Sequence, residues 1–156
     1  MNSENSLARL EREGKLKRQN PEIGVMNDLL DGARRNFEAA KIIQGKADEA
    51  AFKLYYDGLL QIGRFVILTS GYRPVGVQQH KTTFDVAGEI LGPDFSDLIR
   101  KIQKFRIKRN ACVYDPAGLI GKSEAESIYR TAQTFWEGVR KRLEKLDPQL
   151  RLFDIV

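Results

Sequence analysis

The segment 100–115 combines a high density of positive charge with the amphipathic pattern of a helix. Its first ten residues carry six basic side chains and no acidic one. Apolar residues recur at the spacing that one face of an α-helix requires, and they are Phe95, Leu98, Ile99, Ile102 and Phe105. One further step of four residues along that face reaches Arg109. Because a guanidinium group keeps its charge, Arg109 must meet a carboxylate, a phosphate or a water-filled cleft.

Arg109 and the next residue, Asn110, form a pair that could hold a phosphate. Arginine offers a planar fork of donors to phosphate oxygens, and asparagine adds one donor and one acceptor beside it. The structural alternative is an internal salt bridge from Arg109 to Asp57 or Asp85, with Asn110 capping the helix end. The sequence leaves both interpretations open.

Three other side chains could take part in proton transfer. His80 is the only histidine, 29 positions before Arg109, and an imidazole exchanges its proton near neutral pH. Tyr114, with an ordinary pKa of about 10, is a poor base but can donate a hydrogen bond or act as an acid. Asp115 precedes Pro116 and is more typical of a turn than of a general base. The alternatives are a surface or capping role for His80 and an aromatic seal at the helix end for Tyr114.

The composition indicates an ordinary globular domain. The chain has 156 residues, of which 42% are hydrophobic and 30% charged, and its net charge is +5. One cysteine, Cys112, and one histidine exclude an internal disulfide and the usual Cys/His zinc sites. We therefore expect no metal and no cofactor. No apolar run approaches the roughly 20 residues of a membrane span, and no signal-peptide core is present, so we expect a cytoplasmic protein without a membrane partner.

Hydrophobic periodicity predicts an all-α, single-domain, up-and-down helical bundle of four to five helices. A polar lead-in with a short helix occupies residues 1–20, the bundle residues 21–146, and a tail residues 147–156. No strand of alternating pattern is expected.

The ends of the helices are predicted from capping and breaking residues. Asn20 and Pro21 are expected to begin the first long helix, which ends at Gly45. Ser123 and Glu126 match a capping box at the start of the last one. The intervening helices are expected at about 47–70, near 77–91, and from about 94 to 112.

The order of these elements and three short motifs resemble the HEPN superfamily over about residues 7–146. The motifs are Leu16-Lys17-Arg18, Gly71-Tyr72-Arg73-Pro74 followed by His80, and Arg106-Ile107-Lys108-Arg109-Asn110 running to Tyr114-Asp115. The likeness is to single-domain prokaryotic members. It implies a helical bundle, often a homodimer through the faces that carry the Arg-Asn motif. It also implies a toxin–antitoxin or phage-defence module, frequently with a nucleotidyltransferase partner.

Many HEPN proteins cleave RNA without a metal, using an arginine followed after four to six residues by a histidine. Here Tyr114 stands where that histidine is expected, so the motif is Arg-Asn-x3-Tyr. A tyrosine near this motif receives AMP from the partner enzyme in related systems, and Tyr114 is a candidate for the same role, although its spacing from the motif differs. Four basic residues near the motifs are candidates for contacts with RNA or a nucleotide, with an acidic protein or with water alone: Arg73, Lys104, Arg106 and Lys108.

Two functional hypotheses follow from these residues. In the first, the chain binds RNA at a basic dimeric cleft. If it is a metal-independent endoribonuclease, Arg109 stabilises the charge on the phosphate, Asn110 orients the scissile group, and Tyr114 or His80 moves the proton. In the second, it is a non-catalytic antitoxin or adaptor that binds a nucleotidyltransferase or its nucleotide. Proximity of His80 to Arg109 would favour the first hypothesis, and a salt bridge at Arg109 the second.

The tail contains Gln149-Leu150-Arg151-Leu152-Phe153, which is similar to the short peptide that docks into the bacterial sliding clamp. Five-residue matches often arise by chance. We therefore prefer the interpretation in which this tail folds back over the bundle.

Overall fold

The computed structural model describes residues 3–114, 120–143, 145 and 147–156, and in these parts it is an α-helical bundle with one small sheet. The helices are α1 (Ser3–Arg12), α2 (Ile23–Ile43), α3 (Asp48–Thr69), α4 (Gln79–Leu91), α5 (Ser96–Tyr114) and α6 (Lys122–Arg142). A 3-10 turn, Pro93–Phe95, joins α4 to α5, and the strands are β1 (Leu16–Arg18) and β2 (Tyr72–Pro74). The predicted all-α fold is confirmed. The described helices number six, against a prediction of four to five, and one of them is the short helix expected in the lead-in.

Helix α3 forms the centre of the bundle and packs against α2, α4, α5 and α6. Buried residues occur on several of its sides, as a helix surrounded by others requires. Two glycines let its neighbours approach closely. A Cβ at Gly58 would collide with the ring of Phe37 on α2, and one at Gly63 would lie 2.8 Å from the methyl group of Thr83 on α4. These contacts fix α2 and α4 beside the middle of α3.

The two strands correct the expectation that no strand would be found. β1 and β2 pair antiparallel, with Lys17 opposite Arg73. Each strand has only three residues, and an alternation of apolar and polar residues cannot be recognised over so short a segment. Gly71, with a φ of 85°, makes the turn from α3 into β2. The sheet therefore sets the path of the loop that leads from β2 into α4 and to His80.

Two predicted helix starts are each wrong by two residues. The N-cap of α2 is Glu22 rather than Asn20. Helix α6 begins after Gly121, whose backbone N–H donates to the carboxylate of Glu124 at 3.0 Å. That hydrogen bond lowers the pKa of Glu124. The N-cap predicted at Ser123 thus lies two residues earlier, at Gly121, and the side chain that bonds to it is the carboxylate of Glu124.

The tail folds back over α2 and α6, which confirms the preferred interpretation. The side-chain amide of Asn27 donates to the carbonyl of Gln149 at 3.1 Å and accepts from the N–H of Arg151 at 2.7 Å. The indole N–H of Trp136 donates to the carbonyl of Phe153 at 2.6 Å, and the two rings stack with centroids 4.8 Å apart. Leu150 and Phe153 of the clamp-like motif pack against the core of the bundle, whereas Leu152 is exposed. None of the described helices is long and apolar enough to cross a membrane.

Candidate functional site

An open cleft of about 760 Å³ lies between the start of α4 and the C-terminal half of α5. We call it the His80–Arg109 cleft. Its lining residues are Gly76, Val77, Gln78, Gln79, His80, Lys81, Arg106, Arg109 and Asn110. Four of the residues proposed from the sequence, His80, Arg106, Arg109 and Asn110, therefore come together, although His80 and Arg109 are 29 positions apart in the chain.

Arg109 reaches the cleft because the apolar face of α5 ends beneath it. Ile102 and Phe105 are buried in the bundle, and the next step along this face brings the guanidinium carbon of Arg109 to 5.6 Å from the centroid of the Tyr56 ring. A cation above an aromatic face is favourable, but the ring accepts no conventional hydrogen bond. The Nε atom of Arg109 is buried and has no hydrogen-bond partner among the described residues.

The predicted salt bridges from Arg109 are not formed within the described part of the chain. Asp85 is engaged by Lys81 at 2.8 Å and by the side-chain amide of Gln103 at 2.9 Å. Asp57 makes no ion pair with Arg109, although the guanidinium charge acts to lower the pKa of its carboxyl. The stronger influence on Asp57 is burial, which raises that pKa overall. The alternative in which Arg109 forms an internal salt bridge is therefore wrong for Asp57 and for Asp85.

Helix α3 forms the inner side of the site with Tyr56, Asp57 and Arg64. The hydroxyl of Tyr56 lies 3.1 Å from Nδ1 of His80, and the two rings are 5.9 Å apart. Arg64 donates to the side-chain oxygen of Gln79, in the first turn of α4, at 3.4 Å. Neither Tyr56 nor Arg64 was identified from the sequence. One signal was present, because Asp57 and Arg64 are seven positions apart and so share a face of α3.

Burial and a local excess of positive charge set the protonation states in the cleft. Burial lowers the pKa of His80, and the charges of Arg64, Arg109 and Arg106 lower it further. Burial raises the pKa of Tyr56 to about 12, against the opposing influence of the arginines. At neutral pH the imidazole is consequently uncharged and the phenol keeps its proton.

The start of α4 adds backbone donors to the same cleft. Its N-cap, Gln78, makes no side-chain hydrogen bond to the first turn, and that turn contains no acidic residue. The first N–H groups of a helix have no partner within the helix, and they carry the positive end of its dipole. Together with Arg106 and Arg109, they make the cleft suited to an anion.

The other proposed site residues lie elsewhere or outside the described residues. Lys104 and Lys108 flank a different, shallow groove on α5, and Lys108 is 3.9 Å from Glu124. Arg73 is exposed on β2, three residues before the cleft begins at Gly76. Tyr114 is the last residue of α5, but its side chain and the whole of Asp115 are outside the described part of the chain.

Neither a metal centre nor a reactive thiol is evident in the parts that the structure describes. No group of three or more His, Cys, Asp or Glu side chains is placed there to hold a metal ion. Cys112 is buried, and burial raises the pKa of its thiol. A thiol with a raised pKa is a poor nucleophile at neutral pH.

Comparison with known proteins does not extend this description. Protein-family models, curated proteins and solved structures gave no match to the chain. The function is therefore inferred from the chemistry of the cleft and from the motifs in the sequence.

Proposed function

We propose that this chain binds RNA through its phosphate groups in the His80–Arg109 cleft, as a HEPN-type component of a prokaryotic toxin–antitoxin or phage-defence module. The observation that carries the proposal is the buried Nε of Arg109, which lacks an acceptor among the described residues. An unpaired buried donor costs about 1–3 kcal/mol. The described residues therefore do not fully satisfy this guanidinium, and its terminal nitrogens would hold a phosphate oxygen in the cleft through charge-assisted hydrogen bonds.

A phosphate ester fits the cleft better than an isolated carboxylate does. Arg106, Arg109 and the first turn of α4 all line the cleft, and a tetrahedral phosphate accepts hydrogen bonds from several directions at once. Val77, at the edge of the cleft, is a fully exposed apolar side chain. Apolar surface beside an anion site suits a nucleotide, which carries a sugar and a base next to its phosphate.

A homodimer is part of this proposal. Ile107 is an exposed apolar residue on α5 between Arg106 and Lys108. A second copy packed over Ile107 would bury it and bring two clefts close together. The cytoplasm is the expected location of a chain that acts on RNA.

A non-catalytic role is the second candidate. It is favoured by Tyr114, which replaces the histidine of the HEPN cleavage motif. In this role the same cleft would bind a nucleotide, or an acidic segment, of a nucleotidyltransferase partner. The two candidates share the anion site and differ in whether bound RNA is cut.

Binding to a labelled single-stranded oligoribonucleotide tests the proposal. Arg109→Ala should weaken the affinity at least tenfold, and it should reduce the slope of log affinity against log salt by about one. Arg100→Ala is the matched control, because it removes one arginine from the same helix at an exposed position paired with Asp97. Equal losses in the two variants, or no binding by the wild type, would contradict the proposal.

Expression in a bacterial host separates the two candidates. Arrested growth with cut RNA, both abolished by Arg109→Ala, would identify a ribonuclease toxin. Normal growth with intact RNA, together with RNA or nucleotide binding by the purified chain, would identify the adaptor.

A further inference from the structure

The hydrogen bond between Tyr56 and His80 determines which nitrogen of the imidazole carries the proton. Tyr56 is fully buried. Its hydroxyl has one hydrogen-bond partner among the described residues, Nδ1 of His80 at 3.1 Å. Burial raises the pKa of Tyr56 to about 12, so the hydroxyl keeps its proton at neutral pH. A buried O–H that donates to nothing is costly, so the phenol has to donate to Nδ1.

A ring nitrogen that accepts a hydrogen bond carries no proton of its own. The neutral imidazole of His80 then has its proton on Nε2. We infer that Tyr56 holds His80 as the Nε2–H tautomer, so that the ring offers a hydrogen-bond donor, and not a base, to a phosphate in the His80–Arg109 cleft. The nature of the ligand rests on the proposed function, whereas the tautomer does not.

The charged groups around His80 act in the same direction. Arg64 on α3, and Arg106 and Arg109 on α5, all disfavour a positive charge on the ring. On α4 itself, the charge of the adjacent Lys81 is paired with Asp85. The ring therefore stays neutral at pH 7. Arg106, Arg109 and the Nε2–H group then form a set of donors that contains no proton acceptor.

Tyr56 is accordingly a positioning residue for two side chains at once. Its hydroxyl orients His80, and its ring lies 5.6 Å from the guanidinium carbon of Arg109. Cleavage at a ribose 2′-hydroxyl needs a base that removes the hydroxyl proton, and the Nε2–H tautomer cannot supply it. In the proposed complex, the cleft therefore binds RNA, and His80 does not act as the base for its cleavage.

Because His80 is the only histidine, imidazole ¹⁵N spectra of the labelled full chain test the tautomer without any ligand. We expect a protonated Nε2 and an unprotonated, hydrogen-bonded Nδ1 above the pKa of the ring. Tyr56→Phe retains the aromatic packing and removes the donor. It should shift the spectra toward a mixture of tautomers. A neutral wild-type ring protonated at Nδ1, or spectra unchanged in Tyr56→Phe, would overturn the inference.

Tyr55→Phe is the matched control for that substitution. Tyr55 precedes Tyr56 on α3, is equally buried, and donates a hydrogen bond to Gln44 at 2.6 Å, away from the cleft. Its replacement should therefore destabilise the chain to a similar degree and leave the signals of His80 in place. A shift of those signals in Tyr55→Phe as large as in Tyr56→Phe would show a general loosening of α3 and overturn the specific role of Tyr56.

Binding of the oligoribonucleotide then tests the donor role separately. A glutamine amide can replace the Nε2–H donor but cannot act as a base. His80→Gln should keep the affinity within about threefold, while His80→Ala should lose more, because the phosphate contact is worth a charge-assisted hydrogen bond. RNA cleavage by the wild type that disappears in His80→Gln would overturn the inference. An Nε2–H ring in a chain that binds no RNA would support the tautomer and refute the proposed function.

Discussion

Two of the arginines that lie beside an aromatic ring, Arg140 and Arg109, occupy different regions of the chain, and they differ in whether the described residues also supply oxygen acceptors. In the tail region, the guanidinium carbon of Arg140 lies 5.9 Å from the ring of Trp136. In the His80–Arg109 cleft, the guanidinium carbon of Arg109 lies 5.6 Å from the ring of Tyr56. Arg140 also donates to the carbonyl of Phe153 at 3.0 Å and to Asp154 at 2.6 Å. The Nε of Arg109 has no such acceptor in the described parts of the chain.

The difference shows what the cleft lacks. The tail supplies the Arg140–Trp136 pair with oxygen acceptors. It also supplies the ring of Phe153, which stacks on Trp136. A bound nucleotide has the same two kinds of group, oxygen acceptors and a flat apolar ring. The tail therefore has a structural role beside Arg140, whereas the cleft is the place where we propose that a ligand binds.

The largest effect should come from removing the aromatic ring of the tail region. Trp136→Ala should cost about 3–5 kcal/mol of unfolding free energy, because it leaves a cavity beside Phe65 and Phe153. Urea denaturation measures this. Lys141→Ala, at an exposed position of the same helix, should stay within about 0.5 kcal/mol of the wild type. A similarly small loss in Trp136→Ala would mean that the tail is not held against α6.

Removing the two arginines should give opposite results in binding and in stability. Arg109→Ala should weaken RNA binding at least tenfold, and it should change the unfolding free energy by less than about 0.5 kcal/mol, because an unpaired buried donor is removed with the cation–ring contact. Arg140→Ala should cost roughly 0.5–1 kcal/mol of stability, through the lost bonds to Phe153 and Asp154, and leave RNA binding unchanged. Denaturation and binding measured on both variants test this. Unfolding of Arg109→Ala would show that Arg109 is structural.

The unfolding free energy of the chain should depend on pH through the protonation of His80. Its pKa is lower in the folded chain than the ordinary value of 6.5, so the unfolded chain binds more protons between those two pKa values. The contribution of His80 to stability is therefore complete above about pH 6.5 and is lost as the pH falls through the folded pKa. Denaturation of the wild type and of His80→Gln between pH 7.5 and 5.5 isolates this effect. Equal slopes in the two proteins would contradict it.

The smallest effect is expected at the basic residues outside the cleft. Lys104→Ala should reduce RNA affinity by less than about threefold, because Lys104 is exposed beside a different groove and contributes only a general attraction. Arg106→Ala, which removes a cation from the cleft itself, should have the larger effect. If Lys104→Ala were the more damaging of the two, RNA would bind along the outer side of α5.

The sequence allowed the helices to be predicted because each has an apolar face at helical spacing. It also made Arg109 a candidate site residue, since a charge interrupts the apolar face of α5. The strands could not be predicted, because three residues carry no readable period. The role of Tyr56 was missed for a different reason. A tyrosine within a long apolar helix looks like a core residue, and only the packing of α4 on α3 shows that its hydroxyl meets His80.

The contacts of Asn27 also have a consequence for how fast the chain folds. The hydrogen bonds of its side-chain amide with Gln149 and Arg151 close loops of more than 120 residues. Closing such long loops costs conformational entropy and is slow. The tail should therefore dock only after the transition state for folding has been passed. Contacts of that kind govern the rate of unfolding and not of folding. Loss of the Asn27 amide should consequently shorten the lifetime of the native state while leaving the refolding rate nearly unchanged.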